Sequence, residues 1–300
     1  MKIGIPVETT SGETRVAMVP GMVTAFTRLE HEVIIQKNAG ANSFISDEEF
    51  EKAGASIVDD AKSLFAGADV IFKVQPPSAD EVKMMKDGAI YMGYLAPLSN
   101  HETLNAMNAK KVTSFATEFI PRISRAQSMD TLSSMATLAG YKAVLISANH
   151  LGKIFPLLMT AAGSIPPATT FVLGAGVAGL QAIATAKRLG SRVEAFDPRP
   201  AVEEQVKSLG ATFVHMEVPE ENVETTGGYA KQQSDAFLIA EQEAIGARLP
   251  KVDVIITTAQ IFGKAAPILI TEEMVKMMRP GSVIVDLAIE GGGNCELSEA

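Results

Sequence analysis

The sequence predicts an α/β protein made of two doubly wound, Rossmann-like parallel-sheet domains with a cleft between them. Three observations predict it. Short β-branched runs alternate with amphipathic stretches at helical spacing, the pattern of β-α-β units. One such run, Thr169–Leu173, leads directly into Gly174-Ala175-Gly176-Val177-Ala178-Gly179 and then a helix. At 300 residues the chain is long enough for two domains of ordinary size. The expected division is an N-terminal α/β domain over 1–138 and a dinucleotide-binding domain over 139–300.

In the first half, Lys2–Val7 reads as a strand, Pro20–Leu29 as a helix with proline in its first turn, and Glu32–Gln36 as a strand. Ser46-Asp47-Glu48-Glu49 is a capping box that opens the next helix. Val70–Val74 is an apolar strand stopped by Pro76-Pro77, and Ala89–Leu95 is another, stopped by Pro97. Asn100 is expected to cap a helix ending near Lys110, ahead of a strand over Val112–Thr117. Ser128 to about His150 reads as one long helix, with Leu132, Met135, Ala136 and Ala139 at helical spacing, connecting the two domains.

In the second half the glycine motif has a mechanical reading. Gly174 makes the tight turn, Gly176 lets the backbone approach a pyrophosphate, and Gly179 allows close packing of helix on strand. The helix behind it carries Leu180, Ile183 and Ala184 on its apolar face, Lys187 and Arg188 in its last turn, and Gly190 as its stop. A second strand, Arg192–Phe196, ends in Asp197, where the fingerprint places an acid for the ribose 2′-hydroxyl. That favours NAD over NADP, although Arg199 close by is a residue type that accepts a 2′-phosphate. Further strands are expected at Thr212–His215, Val254–Thr257 and Ser282–Leu287, with a helix over Thr271–Met278. Val218–Tyr229 breaks the rhythm as a long acidic and polar loop ending Thr225-Thr226-Gly227-Gly228-Tyr229, a length usually functional or disordered. Gly291-Gly292-Gly293-Asn294-Cys295-Glu296 reads as a crevice loop, and a further segment is expected beyond residue 300.

Composition narrows the function. A net charge of −9 argues against a nucleic-acid partner. No stretch approaches the roughly 18 apolar residues of a membrane span. One cysteine, Cys295, excludes an internal disulfide and suits a reducing compartment. The four histidines are scattered, so no metal is expected.

The second informative stretch is Arg122-Ile123-Ser124-Arg125-Ala126-Gln127-Ser128-Met129-Asp130-Thr131-Leu132-Ser133-Ser134. Gln127, Asp130 and Ser133 follow i, i+3 spacing and would share one helical face. Two readings are open from spacing alone: a polar patch facing a nicotinamide, or a helix start capped by Ser128 with a solvated first turn.

Arg122–Asp130 closely resembles the signature of the NAD(H)-binding alpha-subunit component of proton-translocating NAD(P) transhydrogenases. The resemblance continues through Gly174–Gly179, Ala195–Pro200, Gly228–Lys231, Gly281–Ala288 and Gly292–Glu296, and so covers essentially the whole chain. Gly4–Glu8 and Thr14–Ala17 resemble the wider family shared with alanine dehydrogenase. The resemblance implies that Arg122, Gln127, Asp130 and Ser133 surround the dihydronicotinamide and are the catalytic set. It implies that Val177, Asp197 and Arg199 contact the pyrophosphate and adenosine side, and that Tyr229 tips a mobile loop. Ser128, Met129, Pro198, Gly227, Gly228, Thr258 and Ala259 complete the expected cofactor-binding residues, with Gly174, Gly176 and Gly179. It further implies NAD(H) as cofactor and hydride transfer to NADP+ on a partner component. The expected assembly is a homodimer, docked on that NADP(H)-binding component and its membrane domain, cytoplasmic and peripheral to the inner membrane. A C-terminal segment returning to complete the first domain is also implied.

Alanine dehydrogenase is the rival. Oxidising an amino acid needs a general acid/base and a cation for the carboxylate. Arg15 and Lys73 match the substrate-binding cations of that relative, but its catalytic histidine is replaced by Ala96, and Glu290 stands near where it has an aspartate. Arg15 and Lys73 are therefore expected to be inherited structural or ion-paired residues. A non-catalytic NAD-sensing module is the third reading.

Overall fold

The computed structural model describes residues 1–216, 234–260 and 263–299. The chain divides into two compact units, Met1–Thr131 and Leu132–Ala300.

The first unit runs β1 (Lys2–Ile5), α1 (Pro20–Arg28), β2 (Glu32–Gln36), α2 (Asp47–Lys52), β3 (Ser56–Val58), α3 (Ala61–Gly67), β4 (Val70–Phe72), α4 (Ala79–Met84), β5 (Ile90–Gly93), α5 (His101–Ala109) and β6 (Thr113–Ala116). Its sheet has the order β3-β2-β1-β4-β5-β6, and every pair is parallel. Helices are started by local chemistry. Ser46 and Glu49 close the expected capping box on α2, and Ser78 with Glu81 closes a second on α4. Two cores flank the sheet. Ile3, Ile5, Val33, Ile35 and Phe50 build one, and Leu64, Phe65, Ile71, Val82 and Tyr91 the other.

The second unit runs α6 (Thr131–His150), β7 (Leu158–Thr160), β8 (Gly163–Ile165), β9 (Thr169–Leu173), α7 (Val177–Arg188), β10 (Arg192–Phe196), α8 (Glu203–Ser208), β11 (Thr212–Phe213), α9 (Asp235–Gly246), β12 (Val254–Thr257), α10 (Glu272–Lys276) and β13 (Val283–Asp286). Among the described residues its main sheet is β11-β10-β9-β12-β13, again all parallel, beside an antiparallel β7–β8 hairpin. β9 and β12 are its central strands and are almost wholly buried, which is why they read as continuous apolar runs. α6 packs on α7 through Gly140, where any β-carbon would collide with the Ala178 carbonyl.

Three expectations need correction. The long helix begins at Thr131, not Ser128; Ser124–Met129 is a 3₁₀ segment and Asp130 is extended at φ −74°, ψ 91°. Gln127, Asp130 and Ser133 therefore occupy three different backbone states and do not form one helical face, and Ser128 is not the cap of α6. Asn100 stands at the N-cap of α5 but gives no capping bond, because its side-chain amide donates to the Leu95 carbonyl instead. Several strands also end earlier than their apolar runs: β1 at Ile5, β4 at Phe72, β5 at Gly93 and β11 at Phe213. β3, α3, α4, α8, α9 and the β7–β8 hairpin were not foreseen.

Candidate dinucleotide site

Both sheets reverse their strand order at one point, between β1 and β4 in the first unit and between β9 and β12 in the second. In open parallel sheets, ligands bind beyond the carboxyl ends of the strands at such a switch point.

In the second unit, Leu173 ends β9 and Gly174 turns the chain at φ +97°, a conformation that glycine adopts freely. A β-carbon at Gly179 would collide with the Gly174 carbonyl oxygen, so the third glycine lets α7 sit against the turn. A β-carbon on Gly176 would meet nothing within 4 Å. Gly176 is also the N-cap of the twelve-residue α7, whose first N–H groups have no intrahelical partner. One glycine thus makes a left-handed turn, one is packed, and the middle one faces open space at a helix N-terminus. A pyrophosphate fits that arrangement.

The neighbouring strands hold the turn in place. The Thr258 hydroxyl, just past β12, lies 3.3 Å from the Leu173 carbonyl and 3.2 Å from that of Gly174. Ala259 is held by Asn294, which is fully buried: its Oδ1 accepts the Ala259 N–H at 3.0 Å, and its Nδ2 donates to the Ala259 carbonyl at 2.9 Å. Asp286 supports that loop by accepting from the Asn294 and Cys295 N–H groups and the Thr257 hydroxyl. The 291–296 loop thus closes on the strand ends as a crevice loop would.

Asp197, at the end of β10, is buried and fully engaged. Its Oδ2 accepts the Ala175 N–H of the glycine turn at 2.7 Å and Arg199 Nη2 at 2.9 Å. Its Oδ1 accepts the Arg199 N–H and Nε, both at 2.9 Å. Four donors fill the lone pairs of one carboxylate. A ribose hydroxyl would reach Asp197 by exchanging with the Arg199 guanidinium. Pro198 lies between these two residues in the chain, and Val177 is the exposed first residue of α7. Gly227, Gly228, Tyr229 and the rest of the Val218–Tyr229 loop lie outside the described residues.

One buried acid is not among the residues the sequence singled out. Glu241 on α9 is 4% exposed, and burial, followed by the charge of Asp197, pushes its carboxyl up to about 7. The signal that could have found it is its spacing: it falls between Phe237 and Ile245 on the core-facing stripe of α9.

The switch point of the first unit is filled differently. Lys73, just past β4, is 3% exposed and lies 2.8 Å from Glu81 and 3.5 Å from Glu8, just past β1. Glu8 also accepts the N–H groups of Val74 and Gln75. Arg15 grips Glu13 with Nε and Nη2 at 2.7 and 2.6 Å, and Gln75 donates to the same carboxylate. The Arg15 hydrogen bonds hold the Glu13 carboxyl down to about 2, against the opposing effect of its burial. Arg15 and Lys73 are ion-paired, as expected from the sequence. Ala96 takes a left-handed φ of +46°, and Glu118 accepts the N–H groups of both Leu95 and Ala96. A strained alanine is unusual, because only glycine adopts that region freely.

In the Arg122–Asp130 segment, the Arg122 Nε lies 3.7 Å from Asp130 Oδ2. Gln127 and Ser128 are exposed in the 3₁₀ segment, as is Met129, and Ser133 lies in the first turn of α6. The structure brings Gly174, Gly176, Gly179, Asp197, Thr258 and Ala259 together at one switch point. It places Arg122, Gln127, Ser128, Met129 and Asp130 in the other unit.

The family models for "Alanine dehydrogenase/PNT, N-terminal domain" and "Alanine dehydrogenase/PNT, C-terminal domain" match residues 4–139 and 143–300. The chain belongs to this alanine dehydrogenase/PNT family. It is 50% identical to the first part of the NAD(P) transhydrogenase subunit alpha of Rhodospirillum rubrum, over all of this chain and 79% of that one. It is 46% identical to NAD(P) transhydrogenase subunit alpha of Haemophilus influenzae, over all of this chain and 58% of that one. Among solved structures, the transhydrogenase of Sinorhizobium meliloti matches with a TM-score of 0.88 and 44% identity, over 100% of this chain and 82% of that one. An L-alanine dehydrogenase matches with a TM-score of 0.81 and 27% identity, over 99% and 76%. The family is one of oxidoreductases, and within it this chain aligns with transhydrogenase alpha subunits along its whole length. No helix among the described residues is long and apolar enough to cross a membrane.

Proposed function

We propose that this chain is the NAD(H)-binding component of a proton-translocating transhydrogenase and passes hydride from NADH to NADP+ held by a partner component. The observation that carries the choice over amino-acid oxidation is the state of the first switch point. An amino-acid substrate needs a free cation and a proton-transferring group. Here Arg15 is ion-paired with Glu13, Lys73 is buried between Glu8 and Glu81, and position 96 is alanine. Transfer between two nicotinamides moves no substrate proton, so it asks nothing of those positions.

Bound NAD(H) supplies the hydride. The chain's own residues position it. The Gly174–Gly179 turn and the α7 N-terminus hold the pyrophosphate, and Asp197 takes the adenosine ribose as Arg199 gives way. Arg122, Gln127, Asp130 and Ser133 orient the nicotinamide, with Ser128 and Met129 beside them. Thr258 and Ala259 line the β12 side, and Gly227, Gly228 and Tyr229 complete the cofactor-binding residues. Catalysis of this kind rests on positioning.

A homodimer docked on the NADP(H)-binding component above a membrane domain, and so peripheral to the inner membrane, is the assembly proposed. Exposed apolar side chains support a subunit contact: Leu138 and Tyr141 on α6, and Leu158, Met159 and Ile165 on the β7–β8 hairpin. The test is paired assays. The chain with its partner should reduce an NADP+ analogue with NADH, and the pure chain should not reduce NAD with alanine. Robust alanine-dependent reduction would overturn the reading. NADH binding with no transfer in the presence of the partner would leave a sensing module.

A further inference from the structure

Among the described residues, the other buried carboxylates of the second unit have partners. Asp197 is held by Arg199 and the Ala175 N–H, and Asp253 by Lys153 and the Thr169 N–H. No described hydrogen bond or ion pair reaches Glu241, although it is 4% exposed. Burying an unpaired ionisable group is costly, so its presence needs an account.

Its place in the fold supplies one. β11 and β12 are parallel members of one sheet, so α9, which connects them, runs from the carboxyl edge of the sheet back to its amino edge. Ile245 shares one buried apolar cluster with Leu173 and Phe196, the last residues of β9 and β10, and with Val214 just past β11. Glu241 is one turn earlier on the same face, about 6 Å nearer the carboxyl edge. That is the level of Asp197, whose charge Glu241 feels.

Several other charges on the elements around α9 are matched. Glu194 pairs with Arg248, Glu203 with Lys207 and His215, and Glu272 and Glu273 with Lys276. Arg199 matches Asp197. With Glu241 ionised, the group of Asp197, Arg199 and Glu241 has a net charge of −1; with it protonated the group is neutral.

We propose that Glu241 is a specificity-determining residue at the adenosine end of the dinucleotide site, where its carboxylate acts beside Asp197 to disfavour the 2′-phosphate of NADP(H) relative to the 2′-hydroxyl of NAD(H). This rests on the reading of the site as a dinucleotide site. Asp197 alone is a weak discriminator, because Arg199 neutralises it and is itself a residue type that can turn to a phosphate. Glu241 adds a buried charge that no described cation pairs with. A neutral ribose hydroxyl is indifferent to its ionisation, and a phosphate is opposed by it. Because burial holds this carboxyl near 7, the discrimination strengthens between pH 6 and 8.

The experiment is equilibrium titration of the full chain with NADH and with NADPH at pH 6 and pH 8, for the parent and for Glu241→Gln and Glu241→Asp. The ratio of the NADPH to the NADH dissociation constant should rise about tenfold more in the parent than in Glu241→Gln across that interval, one pKa unit of coupling being tenfold. Ionisation of the phosphate itself cancels in that comparison. At pH 8, Glu241→Gln should bind NADPH about tenfold more tightly than the parent, with NADH affinity preserved as the check on folding. Glu241→Asp should keep the pH dependence. Parallel pH profiles in the parent and Glu241→Gln, with NADH bound by both, would overturn the role of Glu241. Failure of the parent to bind NADH at either pH would instead overturn the dinucleotide reading itself.

Discussion

The carboxyl ends of β1 and β4 and those of β9 and β12 occupy equivalent places in two parallel sheets, yet they hold opposite chemistry. At the first, Glu8, Lys73 and Glu81 form a buried ionic cluster, with Glu13 and Arg15 paired nearby. At the second, the backbone turns on glycines and Gly176 faces open space. A switch point therefore supplies a location, and the residues placed there decide whether it receives a ligand or fills itself.

The strongest way to break the comparison is through the cluster. Lys73→Met would leave two buried carboxylates without their ammonium, a loss expected to cost about 3–5 kcal/mol. Denaturant unfolding should register that loss, while NADH affinity at the second switch point stays within about twofold. A parallel collapse of NADH binding would show that the two ends do not work separately.

The next effect concerns Glu241. Its carboxyl is raised from 4.5 to about 7 in the folded chain. Below pH 4.5 both folded and unfolded forms are protonated, and nothing is gained or lost. Between 4.5 and 7 the unfolded chain ionises first, so stability falls as pH rises, by about 3 kcal/mol in total. Urea unfolding at pH 5 and pH 8 should show this fall in the parent and a smaller one in Glu241→Gln. Equal slopes would mean that the acid is solvated.

A glycine pair gives the third. Gly179→Ala forces a methyl into the Gly174 carbonyl and should destabilise the chain by about 1–3 kcal/mol. Gly176→Ala meets no atom, so it should leave the unfolding midpoint alone and weaken NADH binding. Equal effects of the two substitutions on stability would remove the distinction between a packed and an open glycine.

The smallest effect on affinity is expected from the first unit. Asp130→Asn and Gln127→Asn each alter one bond, worth about 0.5–1.5 kcal/mol in NADH binding, whereas misplacing a reacting ring can slow transfer by about 100-fold. Pre-steady-state transfer beside equilibrium titration separates the two. Equal losses in both would make these residues ordinary binding groups.

How much of this was legible depended on sequence distance. The strand, glycine turn and helix of 169–188 lie within one stretch, and their periodicity and glycine spacing are local signals. The Ser46–Glu49 capping box was legible for the same reason. Ser128 misled because a serine before an apolar run at helical spacing looks like a cap, whereas the backbone stays 3₁₀ to Met129 and becomes helical only after an extended Asp130. The ionic cluster joins residues from three separate elements, and each alone looks like a surface charge. Glu241 was hidden by its type, since a glutamate on a helix is normally solvated. Arg199 was read as a neighbour of Asp197, but its bidentate closure on that acid depends on side-chain geometry that spacing does not carry.

The Asn294 amide has a consequence for how this sequence can drift. It copies the donor and acceptor of a neighbouring strand and meets both backbone groups of Ala259. The hold on residue 259 is therefore indifferent to the side chain at 259, and the information that fixes this backbone is written thirty-five positions away. The hold survives any side chain at 259 that fits, whereas at 294 even aspartate fails, because it has no amide hydrogens for the Ala259 and Pro267 carbonyls. Mutational tolerance along this edge of the sheet should follow the amide rather than the strand it imitates.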